Sequence, residues 1–78
     1  MSTSMRGRTV RPSELRAERV HVDRFGYDRT GSYWGSSASP PLYRVTDEQG
    51  YLDEHVRAPD APTAKRRAVE QAGGTMIT

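Results

Sequence analysis

Between Gly26 and Gly35 the chain reads Gly-Tyr-Asp-Arg-Thr-Gly-Ser-Tyr-Trp-Gly, and its chemistry is most concentrated there. Tyr27, Tyr33 and Trp34 bring large contact area at small cost in rotamer entropy, and Arg29, next to Asp28, brings directional hydrogen bonds. Such a mixture builds recognition surfaces. Two placements are open for Tyr33 and Trp34: outward, or folded back over a core too small to close itself. Tyr27 and Arg29 are expected in solvent, and Arg44, on a later strand, joins them in the candidate partner-binding set.

Two further clusters carry charge. Asp47, Glu48, Asp53 and Glu54 flank Gly50. Gathered at one hairpin tip they could offer a phosphate-like face to an arginine or lysine groove, although a charged tip also simply protects a sheet edge. Lys65-Arg66-Arg67 is the second cluster. Three consecutive positions sweep about 200° of a helix, so at most two can face one groove, and a solvated helix face is the competing reading.

His21 and His55 fall at strand positions. With Asp23, Asp53 or Glu54 they make a metal shell or an acid–base pair imaginable, but no close ligand spacing supports either. No nucleophile elbow, phosphate loop or dinucleotide fingerprint occurs. Without cysteine there are no disulfides, thiolate ligands or thiol nucleophiles. The expectation is a protein with no catalytic residue, no metal and no cofactor.

The elements that must position these residues follow from periodicity. Residues 1–12 lack it and read as a flexible basic tail, and 13–78 read as one small α+β domain. Ser13 can cap a short helical turn over Glu14–Arg19. Val20 and Val22 alternate with Arg19, His21 and Asp23, which predicts a first strand ending near Phe25-Gly26. The connector 26–41 holds three glycines, four serines and Pro40-Pro41. Its length without periodicity marks it as either functional or disordered, and its aromatic rings argue for order.

Leu42–Thr46 and Tyr51–Arg57 read as two strands joined by Asp47-Glu48-Gln49-Gly50, with Gly50 supplying a positive φ. Asp60 is a strong N-cap, Pro62 fits a first turn, and Gly73-Gly74 ends the helix. Ala61, Ala64, Ala68, Val69 and Ala72 form its apolar stripe. The expected fold is β-β-β-α: a three-stranded antiparallel sheet with the C-terminal helix on one face. Val20, Val22, Val45, Leu52 and Val56 are expected on that face, with Tyr43 and Phe25 at its margins. His21, Asp23, Arg44, Tyr51, His55 and Arg57 are expected on the other.

Size and composition bound the rest. Seventy-eight residues make one domain with a thin core, and 33% hydrophobic against 28% charged residues places it on the polar side of globular. Eleven arginines stand against one lysine, yet the formal net charge is only +2. Basic ends flank an acidic middle, which fits a partner of mixed charge better than bare duplex DNA. No apolar run approaches a membrane span or a leader's hydrophobic stretch, so no membrane partner and a cytoplasmic setting are expected.

Two resemblances add to this reading. The order short helix, three strands and a helix opening Thr63-Ala64-Lys65-Arg66-Arg67-Ala68 resembles a double-stranded-RNA-binding domain, in which Lys65, Arg66 and Arg67 would grip phosphates. The stretch from Gly26 to Arg67, "GYDRTGSYWG…PLYRV…HVRAPDAPTAKRR", is similar to small proteins encoded by phages and other mobile elements of proteobacteria. That second resemblance implies a non-enzymatic inhibitor of the anti-CRISPR kind, acting in a bacterial host on a Cas effector or another protein or ribonucleoprotein complex. The alternative is a small nucleic-acid-binding accessory using Lys65–Arg67 and stacking aromatics. Either would be a monomer or a homodimer.

Overall fold

A computed structural model describes residues 5–35 and 40–77. Its elements are β1 (Thr9–Val10), a 3-10 turn (Pro12–Glu14), β2 (Leu15–Val20), β3 (Leu42–Asp47), β4 (Asp53–Arg57), α1 (Ala61–Gln71) and β5 (Thr75–Met76). The chain is α+β as expected. β2, β3 and β4 form an antiparallel sheet in that order, and α1 packs on one face of it.

The helix starts where Asp60 accepts the backbone N–H of Thr63 at 2.8 Å, the N-cap its sequence predicts. Ala64, Ala68 and Val69 are its buried residues, and their small side chains let the helix lie close to the sheet. Beneath them lie Leu15, Val45, Leu52 and Val56, the centre of the core. Gly50, with φ of +80°, turns β3 towards β4, and the Asp47 side chain closes the turn by accepting Leu52 N–H at 3.1 Å.

The first strand is not where alternation of Val20 and Val22 places it. The pairing partners of β3 are Leu15–Val20, with Ala17 opposite Val45 and Glu18 opposite Arg44. This frame turns Leu15 and Ala17 towards the helix. Of the expected helical turn over Glu14–Arg19, Leu15–Arg19 is strand; only Pro12–Glu14 coils, as one 3-10 turn in which the Glu14 carboxylate accepts Arg11 N–H at 2.7 Å. Val20 shares the opposite face with Leu42, its pair, and Phe25 is 64% exposed. Tyr51 packs against the helix-side core and carries the Arg8 guanidinium 3.7 Å above its ring; it is not on the far face. His21 and Asp23 lie beyond the end of β2.

The flexible-tail expectation also fails over 5–12. Met5 is wholly buried, and β1 pairs in parallel with β5, Thr9 opposite Thr75 and Val10 opposite Met76. Thr75 N–H donates to Arg8 O at 2.9 Å and Ile77 N–H to Val10 O at 2.8 Å. Gly74 makes the approach possible, since a Cβ there would stand 3.0 Å from the Met5 carbonyl oxygen and 3.1 Å from Val69 Cγ1. A polar chain of this size has few apolar side chains, and Met5 completes the core from outside the sheet. Residues 1–4 of that expected tail, and 36–39 within the connector, lie outside the described residues.

Candidate functional site

Register assigns Glu18, Val20, Leu42, Arg44, Asp53, His55 and Arg57 to the sheet face turned away from α1. The connector after β2 covers part of that face. It does so as a small hairpin of its own, bridged antiparallel at Tyr27 and Tyr33.

Two aspartates build this hairpin. Asp23 Oδ1 accepts the N–H groups of Phe25 (2.9 Å) and Tyr27 (3.0 Å), while Asp23 N–H donates to Tyr27 O at 2.8 Å. Asp28 holds the tip. Its Oδ1 accepts from Thr30 N (2.8 Å), Thr30 Oγ1 (2.6 Å) and Ser32 N (3.0 Å), and its Oδ2 accepts from Trp34 Nε1 at 2.7 Å. These donors, the Thr30 hydroxyl first and the Trp34 indole next, hold the Asp28 carboxyl far below the usual carboxylate range. Gly31, with φ of +87°, reverses the chain inside this ring of donors. Trp34 N–H donates to Gly26 O at 2.7 Å and closes the base.

The hairpin therefore has an inner and an outer side. On the inner side Trp34 stacks on His55 of β4, ring centroids 4.5 Å apart. Arg57 fixes the exit, donating Nη2–H to Trp34 O at 2.8 Å and Nη1–H to Pro40 O at 2.9 Å. On the outer side Tyr27 and Tyr33 pack ring against ring, centroids 5.2 Å apart, and are 45% and 64% exposed. Phe25 is exposed too, with the Arg24 guanidinium 5.0 Å from its ring. The two open placements are thus divided between neighbours: Tyr33 looks outward and Trp34 folds back, onto the sheet face opposite the helix.

Between hairpin and sheet lies a cleft of about 300 Å³, bounded by Arg19, Val20, His21, Asp28, Arg29, Thr30, Arg44 and His55. Arg44 also pairs with Asp53 in fork geometry, Nε to Oδ1 at 2.9 Å and Nη2 to Oδ2 at 2.8 Å. That pairing lowers the Asp53 carboxyl below its ordinary range.

The acidic cluster does not assemble. Asp53 faces the hairpin side with Arg44, Glu54 is opposite Val45 on the helix side, and Asp47 is engaged with Leu52 N–H. Glu48 alone stands fully in the turn, exposed and without a bond to Arg44. The basic run is likewise divided. Lys65 Nζ donates to Pro12 O at 3.2 Å and Arg67 Nη1 to Arg57 O at 2.7 Å; Arg66 and Arg67 are both exposed. Among the described residues no three His, Cys, Asp or Glu side chains are grouped to hold a metal ion, and no helix is long and apolar enough to cross a membrane.

Sequence reasoning missed Arg19, His21 and Thr30 as neighbours of Arg29 and Arg44. Their convergence depends on the hairpin lying back over the sheet, which no local pattern encodes. Comparison with protein-family models, with curated proteins and with solved structures gives no match for this chain.

Proposed function

We propose that this chain is a non-enzymatic binding protein that works by occupying a recognition surface of a partner, with the outer face of the loop hairpin as its anchor. One observation carries the reading: Phe25, Tyr27 and Tyr33 stand in solvent on a segment locked by Asp23 and Asp28. Ordered aromatic rings left in water lose little entropy on binding and gain much by burial, the property of interface anchors. Arg24, its guanidinium 5.0 Å from the Phe25 ring, supplies polar recognition of a partner of mixed charge.

The partner class follows from the resemblance to mobile-element proteins. It is a host defence complex in the bacterial cytoplasm, with a Cas effector as the first to try, inhibited in the anti-CRISPR manner. An acidic hairpin imitating phosphate is the weaker mechanism, because Asp53 and Glu54 point to opposite faces. Binding to an effector complex, with loss of its target-DNA binding, is the test. Tyr27→Ala and Tyr33→Ala should each weaken that binding by ~2 kcal/mol or more, whereas Glu48→Gln should leave it unchanged. Full inhibition by both tyrosine variants would overturn the reading.

A further inference from the structure

The two outer edges of the three-stranded sheet are not alike. Ala58 N–H donates to Pro41 O at 3.0 Å, one pair beyond Leu42 and Arg57. Antiparallel ladders bond at every second pair. Tyr43 and Val45 therefore direct their backbone groups to β4, and Leu42, Arg44 and Thr46 direct theirs to β2. Their β2 partners are Val20, Glu18 and Arg16, which leaves the N–H and C=O groups of Leu15, Ala17 and Arg19 pointing out of the sheet. Leu15 agrees with this count, since its N–H donates to Pro12 O outside the ladder. Among the described residues Ala17 and Arg19 make no backbone bond beyond the ladder. On the β4 side the same count turns Arg57 outward, but its carbonyl already accepts from Arg67 Nη1 at 2.7 Å. The β2 edge is the more open one. It carries neither proline nor lysine, the common guards of a free edge.

We infer that this edge pairs with the same edge of a second copy, antiparallel and centred on Ala17, so that three strands from each copy form one sheet. Charge selects both the occupant and the register. Arg16 and Glu18 flank Ala17 on the face turned away from α1. Within one chain they form a 2.7 Å ion pair with side chains 78% and 55% exposed, too wet to contribute much. A two-fold axis through the Ala17 pair sets Arg16 of each copy opposite Glu18 of the other, at the close, non-hydrogen-bonded positions. Glu18 then stands between Arg16 of the second copy and its own cross-strand neighbour Arg44. Sliding one strand by two residues in either direction sets Arg16 against Arg16 or Glu18 against Glu18. At the Ala17 pair the two copies exchange N–H···O=C bonds, and each Arg19 N–H meets the Leu15 carbonyl of the other copy. The axis consumes the open edge, so the pairing closes at two copies and does not grow into a filament.

The experiment is sedimentation equilibrium of the full chain from about 10 μM to about 1 mM, with hydrogen exchange of the Ala17 and Arg19 amides at both ends of that range. Twice the chain mass is expected at high concentration, with protection of both amides rising alongside. Glu18→Arg and Arg16→Glu should each weaken self-association by about tenfold or more, because two attractive cross-strand pairs become two repulsive ones. An equimolar mixture of these two variants should pair again, since at these positions every arginine of one chain then meets a glutamate of the other. That rescue separates a lost contact from a lost fold, which far-UV circular dichroism of each variant also checks. The inference does not rest on partner binding by the outer aromatic face: Tyr27→Ala should impair that binding and leave self-association as it is. A monomer at every concentration overturns the inference, as does a dimer that both single variants retain or a folded mixture that stays monomeric. Edge amides protected only when another protein is bound would give the edge to that protein and overturn it equally.

Discussion

Asp28 decides whether the connector is a hairpin or a loose loop. Its two oxygens collect four donors from Thr30, Ser32 and Trp34, so a single side chain fixes the tip and orients the tryptophan. Asp28→Asn turns this against itself, because an amide N–H₂ placed at Oδ2 meets the indole N–H donor to donor. Loss of the near-UV signal of Trp34, with the helix signal retained, is the expected outcome by circular dichroism. The sign with pH follows from the lowered folded-state carboxyl. An unfolded aspartate titrates near ~3.9, so the stabilisation is complete above that range and lost as pH falls towards the depressed folded value. The stability difference between the native chain and Asp28→Asn should therefore stay constant from neutrality to about pH 4 and shrink only in stronger acid. Asp53 and Asp60 are lowered too, by Arg44 and by the Thr63 cap, and shift stability in the same direction.

At the scale of elements, what was legible in the sequence was what is encoded locally. The Asp60 cap and alanine stripe mark α1, and alternation around Gly50 marks β3 and β4. The β2 segment Leu-Arg-Ala-Glu-Arg-Val is rich in helix formers, so its propensity points the wrong way; pairing with β3 and burial of Leu15 override it. β1 and β5 are two residues each and meet only across the whole chain, a contact that no window of sequence contains. Of the candidate site, the ordered aromatic connector was readable from its rings and glycines, but not the cleft, which needs the tertiary fold. The N-terminal segment gives a sharp test of this. Met5→Ala should cost ~2–5 kcal/mol of stability by chemical denaturation, and a true tail would cost nothing. Gly74→Ala should cost ~1–3 kcal/mol by crowding Met5 and Val69.

The molecule as a whole is a sheet with different covers on its two faces. The helix closes one side with apolar contacts, and the hairpin closes part of the other with hydrogen bonds and one aromatic stack. The second cover contains few buried apolar groups, so it belongs to the less stable part of the fold, yet it carries the exposed rings. Recognition by this scaffold depends on that cover being set in place before a partner arrives, because ordering it on contact would draw on the binding energy. Variants in the helix core should consequently lower global stability while leaving the geometry of the Tyr27–Tyr33 pair intact in the folded fraction.

Native-state amide hydrogen exchange of the isolated chain tests that premise most directly. The account predicts that Tyr27, Ser32 and Trp34, whose N–H groups donate to Asp23, Asp28 and Gly26, exchange clearly more slowly than Glu48 in the exposed turn between β3 and β4. Exchange of all three at the rate of an unstructured peptide, while β2–β4 amides remain protected, would contradict it.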